Sequence, residues 1–156
     1  MAVVDLTALK AGLQQGQRLL GVDLGAKTIG LALSDTLLTV ATPMEIWKRG
    51  KFTADAEKLH TLIAELGIGG VVVGLPLNMD GSEGPSAQSA RAFARNFAAR
   101  SDVPVCLCDE RLSTAAVTRT LLDADASRRQ RAAAVDKMAA AYILQGALDR
   151  MRHLGG

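Results

Sequence analysis

Three carboxylates lie within or at the end of stretches that are otherwise apolar. Asp23 sits in Leu19-Leu20-Gly21-Val22-Asp23-Leu24, and Glu110 follows the apolar run Val103–Cys108. Asp136 shares a helical stripe with Ala139, Ala140, Ile143, Leu144 and Ala147. A carboxylate buried without a partner is costly. Gathered at one point, three of them repel one another unless a cation is present. Oxygen-rich acidic sites suit Mg²⁺ or Mn²⁺. Two such ions about 4 Å apart can activate a water and stabilise the leaving oxygen of a phosphodiester. The chemistry suggested is metal-dependent cleavage of nucleic acid. Each acid also has a plainer reading. Asp23 at a strand end can bond turn amides, and Asp136 near the start of a helix can serve its dipole. Asp109 neighbours Glu110 but alternates to the other face, so it ranks lower.

The elements that must bring these acids together can be read from periodicity. Leu20, Val22 and Leu24 share one face of a strand, and Leu19, Gly21 and Asp23 the other. Ile29, Leu31 and Leu33 form a second strand after the short Gly25–Thr28 turn, which predicts an antiparallel hairpin. Thr42–Trp47 reads as a third strand, with Pro43 suited to an edge. Thr53 is the expected cap of a helix whose stripe is Leu59, Leu62, Ile63 and Leu66 and which stops at Gly67. Gly70–Leu75 is continuously apolar, as in a strand covered on both faces. A loop from Pro76 to Gly84 leads to Pro85 at a helix start, with Ala90, Phe93, Ala94, Phe97 and Ala98 inward. Val103–Cys108 is another buried strand. Ser113 caps a helix to about Asp123, Asp125–Arg131 reads as a mobile polar loop, and a last helix covers about Ala133–Arg152.

Strands after crossover helices run parallel to the first. The expectation is an α/β protein with a mixed five-stranded sheet and helices on both faces, the topology of the ribonuclease H-like fold. Residues 1–17 read as a loosely attached short helix, an extension to a single domain at 18–152. Parallel strands present ligand sites at their carboxyl edge, where Asp23, Glu110 and the Asn78 loop would meet. Lys27, Arg111, Arg128, Arg129, Arg131 and Lys137 lie near that edge and could hold phosphates. Ser127–Arg131 reads equally well as a solvated charge run. Asn78 either bonds substrate or fixes its own turn. His60 and His153 read as exposed or terminal.

Bulk properties exclude several classes. With 156 residues and 49% hydrophobic composition the chain can bury a real core. Aromatics are 3%, too few for single-strand binding by stacked rings. A net charge of +2 leaves any nucleic-acid argument to local clusters. Cys106 and Cys108 complete no zinc site or disulfide framework and read as small buried hydrophobes of a reducing compartment. No apolar run approaches the about 20 residues of a membrane span, and no secretory signal is evident, so a cytoplasmic protein is expected.

Four blocks, GVDLGAKTIGLALSD, VVVGLPLNMDGSEG, DERLSTAAV and VDKMAAAYIL, occur in order between Gly21 and Leu144. In these the chain resembles the YqgF/RuvX family, nucleases that mature the 5′ end of precursor 16S ribosomal RNA and were once described as Holliday-junction-resolvase-like. The resemblance implies the ribonuclease H-like fold, a divalent metal, the triad Asp23, Glu110 and Asp136, and a cytoplasmic role in ribosome biogenesis. It leaves a DNA endonuclease or a non-catalytic RNA-binding assembly factor as alternatives, and the oligomeric state open. The wider resolvase superfamily usually carries an acid on the strand that here reads VVVGLP. Glu110 must then substitute from further across the sheet, with one metal or two. An Asp-x-Gly strand-turn-strand also occurs in actin-like kinases, but those hold nucleotide between two such domains.

Overall fold

The computed structural model describes residues 3–110 and 128–154, with backbone alone for residues 128–137. In chain order the elements are β1 (Val3–Val4), α1 (Leu6–Gly12), β2 (Arg18–Leu24), β3 (Thr28–Ser34), β4 (Ala41–Lys48), α2 (Phe52–Leu66), β5 (Ile68–Leu75), α3 (Pro85–Ala98), β6 (Val105–Asp109) and α4 (Arg128–His153). The predicted helix between Ser113 and Asp123 lies outside the described residues.

The sheet has the order β1-β6-β5-β2-β3-β4. Strands β1, β6, β5 and β2 are parallel, while β3 and β4 pair antiparallel as hairpins. The strand count of five is therefore corrected to six. The extra strand is two residues long, too short to carry periodicity, and exists by pairing Val3 with Val105 and Val4 with Cys106. Its neighbour α1 is capped by Asp5, whose carboxylate accepts from the Ala8 amide at 2.8 Å. The N-terminal segment is docked rather than loose. Leu9 is fully buried, and Lys10 Nζ donates to the carbonyls of Met151, at 2.7 Å, and Leu154.

Two apolar layers flank the sheet. Leu20, Val22, Ile29 and Leu31 face α2 and α3 through Ala56, Leu59, Ala90, Phe93 and Phe97. Leu19, Ala32, Val72 and Cys106 face α1 and α4 through Leu9, Ala140, Leu144 and Leu148. Every residue of β5 is buried, as a strand with helices on both faces must be. Each fully buried Leu or Val contributes about 1.5–3 kcal/mol relative to exposure. Strand β4 is the sheet edge, and Pro43 sits there beside a register shift between Leu31 and Ala32.

Three local expectations are revised. Helix α2 starts at Phe52 with Lys51 at the cap, not Thr53. No side chain caps it; Asp55 in its first turn instead ties the preceding loop, its Oδ2 accepting from the Gly50 amide at 3.1 Å. His60 is half-buried, its ring stacked 4.8 Å from that of Phe97. The backbone of Arg128–Arg131 belongs to α4, not to a loop. The cysteines are free and buried on one face. The hydrogen bond shared with Cys108, together with burial, pushes the Cys106 thiol up. Among the described residues no helix is long and apolar enough to cross a membrane.

Candidate active site

The carboxyl edge of the parallel strands opens into a cleft of about 500 Å³. Asp23 and Glu110 both line it. They come from β2 and from the residue after β6, elements separated in the sheet by β5. The β2–β3 turn is closed by the Gly25 amide donating to the Thr28 carbonyl at 2.8 Å, and it adds Gly25, Ala26 and Thr28 to the wall. Pro76, which follows β5, Pro85, Ser86 and Ser89 at the start of α3, and Arg49 also line it.

How Glu110 reaches across one strand is a packing question, answered at Gly74. Gly74 pairs with Cys108 on β6, and the β2–β5 register, continued one step past Val22 and Val73, sets it beside Asp23. A Cβ at Gly74 would lie 3.2 Å from Glu110 Cγ and 2.6 Å from Ile143 Cδ1. The space of that missing side chain is taken by Glu110 and by a residue of α4. The strand that lacks an acid therefore lends its place to one from the next strand. Glu110 is 5% exposed, so its carboxylate is held inside the fold rather than displayed on it.

Helix α4 lies on the same face as Asp23. A Cβ at Gly21 would lie 2.8 Å from Leu144 Cβ and 3.0 Å from the Ala140 carbonyl, so helix and strand are in close contact there. Asp136 is one turn before Ala140. Because α4 starts at Arg128, Asp136 stands more than two turns into the helix. The dipole explanation for it weakens accordingly, since that effect fades within the first turn. The side chains of Asp136, Arg128, Arg129, Arg131 and Lys137 lie outside the described residues, as does all of Arg111.

The remaining expected ligands are elsewhere. Lys27 is exposed and does not line the cleft. Asn78 is also exposed and ties its own turn. Its Nδ2 donates to Ser82 Oγ at 3.0 Å, its amide donates to the Ser82 carbonyl at 2.9 Å, and its carbonyl accepts from Gly81 at 2.8 Å. Among the described residues no three His, Cys, Asp or Glu side chains form a metal-holding group.

Arg49 was not anticipated. Its amide extends the β3–β4 pairing by donating to the Lys27 carbonyl at 2.8 Å. Its Nη1 donates to the Gly25 carbonyl at 2.9 Å and its Nη2 to Ser89 Oγ at 3.2 Å. In sequence it sits in Lys48-Arg49-Gly50-Lys51, which reads as surface charge. The signal that could have singled it out was its place at the end of the strand antiparallel to the one following the Asp23 turn.

A profile of the RuvX family, described as Holliday junction resolvase, matches residues 17–150. A protein of Paramagnetospirillum magneticum named "Putative pre-16S rRNA nuclease" is 59% identical over 149 residues, 96% of each chain. One of the same name from Roseobacter denitrificans is 56% identical over 154 residues, 97% of this chain and 94% of its own. A solved structure of T. thermophilus RuvC in complex with Holliday junction substrate superposes with a TM-score of 0.53 at 14% identity, over 88% of this chain and 98% of that chain. This last likeness shows the shared ribonuclease H-like fold. With a profile matched over most of its length and relatives more than half identical nearly end to end, the chain belongs to the RuvX family.

Proposed function

We propose that the chain is a metal-dependent nuclease that acts in the cytoplasm on the precursor of 16S ribosomal RNA at its 5′ end. Residues 18–152 would be the nuclease domain and 1–17 an extension docked on it. The observation that carries this reading is the meeting of Asp23 and Glu110 in one cleft at the carboxyl edge of the sheet. Its substrate is suggested by the name that its relatives carry.

The donor chemistry fits a hard divalent cation. Two carboxylates from different strands line one cleft, and Gly74 leaves room for the second to lean toward the first. Asp23 and Glu110, with Asp136 as the third, would hold Mg²⁺ or Mn²⁺. The direction of α4 supports the third member. Leu9 packs by Gly70, which pairs with Leu19, while Lys10 reaches the Met151 carbonyl, so the end of α4 lies near the start of β2. Followed backwards past Ala140 over Gly21, the helix runs toward the Asp23 end of the strand. The ion supplies Lewis-acid activation of water and charge neutralisation at the leaving oxygen. The chain itself supplies an open cleft for a backbone phosphate and a buried Glu110 held in one place. It also supplies carboxylates able to accept the proton of the attacking water. In the reaction water adds to phosphorus, one P–O ester bond breaks, and the leaving oxygen takes up a proton.

The test is cleavage of labelled precursor RNA with Mg²⁺ or Mn²⁺ by the wild type and by Asp23→Asn. A rate loss of roughly a hundredfold or more is expected if the site stabilises transition-state charge. Equal cleavage by both proteins removes Asp23 from the mechanism, and binding without cleavage by either favours an assembly factor. The family description favours a second reading, a DNA junction endonuclease. Faster cleavage of a four-way junction than of the RNA in the same assay would establish it.

A further inference from the structure

We propose that Arg49 is a phosphate-contacting residue of this cleft, its guanidinium taking non-bridging oxygens of a nucleic-acid phosphate bound where Asp23 and Glu110 also line the wall. The proposal rests on the nucleic-acid reading above and adds a residue to which no role has been given. Arg49 lines the cleft together with both acids. Its two hydrogen bonds go to neutral acceptors, the Gly25 carbonyl and Ser89 Oγ. A half-buried guanidinium is thus fixed in direction by neutral acceptors, in a cleft that two carboxylates also line.

Guanidinium has five N–H donors in a planar fork, so the two tethers leave donors to spare. That fork matches the oxygens of a phosphate, and a tethered fork loses little rotamer entropy on binding. The polarity of the cleft gives the arrangement its sense. A phosphodiester approaching two carboxylates is repelled, and a cation fixed in the same cleft offsets that repulsion. Ser86 and Ser89, one turn apart on α3, add hydroxyl donors beside it.

A purely structural role is the competing account: Arg49 would only brace the Gly25 turn that follows Asp23. Salt dependence separates the two, because a phosphate contact releases counterions and a brace does not. The probe is a labelled single-stranded RNA covering the 5′ flank of 16S ribosomal RNA. It is bound by the full chain carrying Asp23→Asn, so that binding is read without cleavage. Adding Arg49→Met should weaken binding roughly tenfold, the scale of one charge-assisted contact. It should also flatten the slope of log K against log salt by about 0.7. Arg49→Lys should keep the slope, and Arg95→Met, an exposed charge on α3, should leave it unchanged. Melting temperatures of the four proteins report folding separately. An unchanged slope with Arg49→Met, or no binding of the RNA by the parent, overturns the proposal. Wild-type cleavage with an unchanged slope discards Arg49 and keeps the nuclease. A flattened slope with no wild-type cleavage keeps Arg49 as a phosphate contact and discards the nuclease.

Discussion

Replacing Gly74 by alanine puts a methyl group 3.2 Å from Glu110 Cγ and 2.6 Å from Ile143 Cδ1. The second contact is with the free end of a side chain that can turn away. Overfilling a packed core by one carbon costs about 1–3 kcal/mol, and removing a strand glycine returns about 0.5–1 kcal/mol. The net loss should be about 1 kcal/mol, or roughly 2–4 °C in Tm for a chain of this size. The contact with Glu110 has a different consequence. The carboxyl stem must give by a few tenths of an ångström, close to the roughly 0.5 Å that a catalytic arrangement tolerates. An error of a whole ångström costs about a hundredfold, so a loss of roughly tenfold in RNA cleavage is expected. Gly74→Ala with Ile143→Val separates the effects. The valine lacks Cδ1, so the pair should melt above Gly74→Ala alone, while the Glu110 contact and the slow cleavage remain. A double variant that regains full activity along with its stability, or a Gly74→Ala protein that cleaves at the wild-type rate, would refute the claim that Gly74 makes room for Glu110.

Two further outcomes are expected. Leu9→Ala should destabilise the fold by about 2–5 kcal/mol, as for a fully buried leucine, measured by urea unfolding; a change below about 0.5 kcal/mol, the scale of a surface substitution, would mean that the N-terminal helix contributes little to the core. Asp35 in the β3–β4 turn has its carboxyl pKa lowered from 3.8 to about 2, by the Thr39 hydroxyl first and then the Val40 and Thr39 amides. Because the folded value is the lower one, its stabilisation is present above pH 3.8 and is lost as pH falls toward 2. The stability difference between wild type and Asp35→Asn should therefore shrink across that interval, as followed by urea midpoints; a constant difference would dismiss the turn as the source.

Much of the architecture was legible because its causes are local. The alternation of Leu20 and Val22 with Leu19, Gly21 and Asp23 already assigns two faces, and the structure uses both. The unbroken apolar run in β5 required cover on each side. Pro85 opened α3 as its fixed φ favours. The basic start of α4 was misread as a loop because it lacks apolar periodicity, although Arg, Gln and Ala are good helix formers.

An acid within an apolar strand is a chemical anomaly that sequence alone exposes, and Asp23 was identified that way; Glu110 was identified from its place just past the carboxyl end of a buried strand. Their sharing of a cleft belongs to the tertiary structure, as does everything that depends on partners distant in the chain. Strand β1 exists through a strand about a hundred residues later. Arg49 is held by Gly25 and Ser89, 24 and 40 positions away. The vacancy at Gly74 acquires meaning when Glu110 and Ile143 fill it. Periodicity reports which face a residue takes, because that follows from the repeat of its own backbone. It carries no record of which other segment will close on that face, because that is decided by the packing of the whole chain.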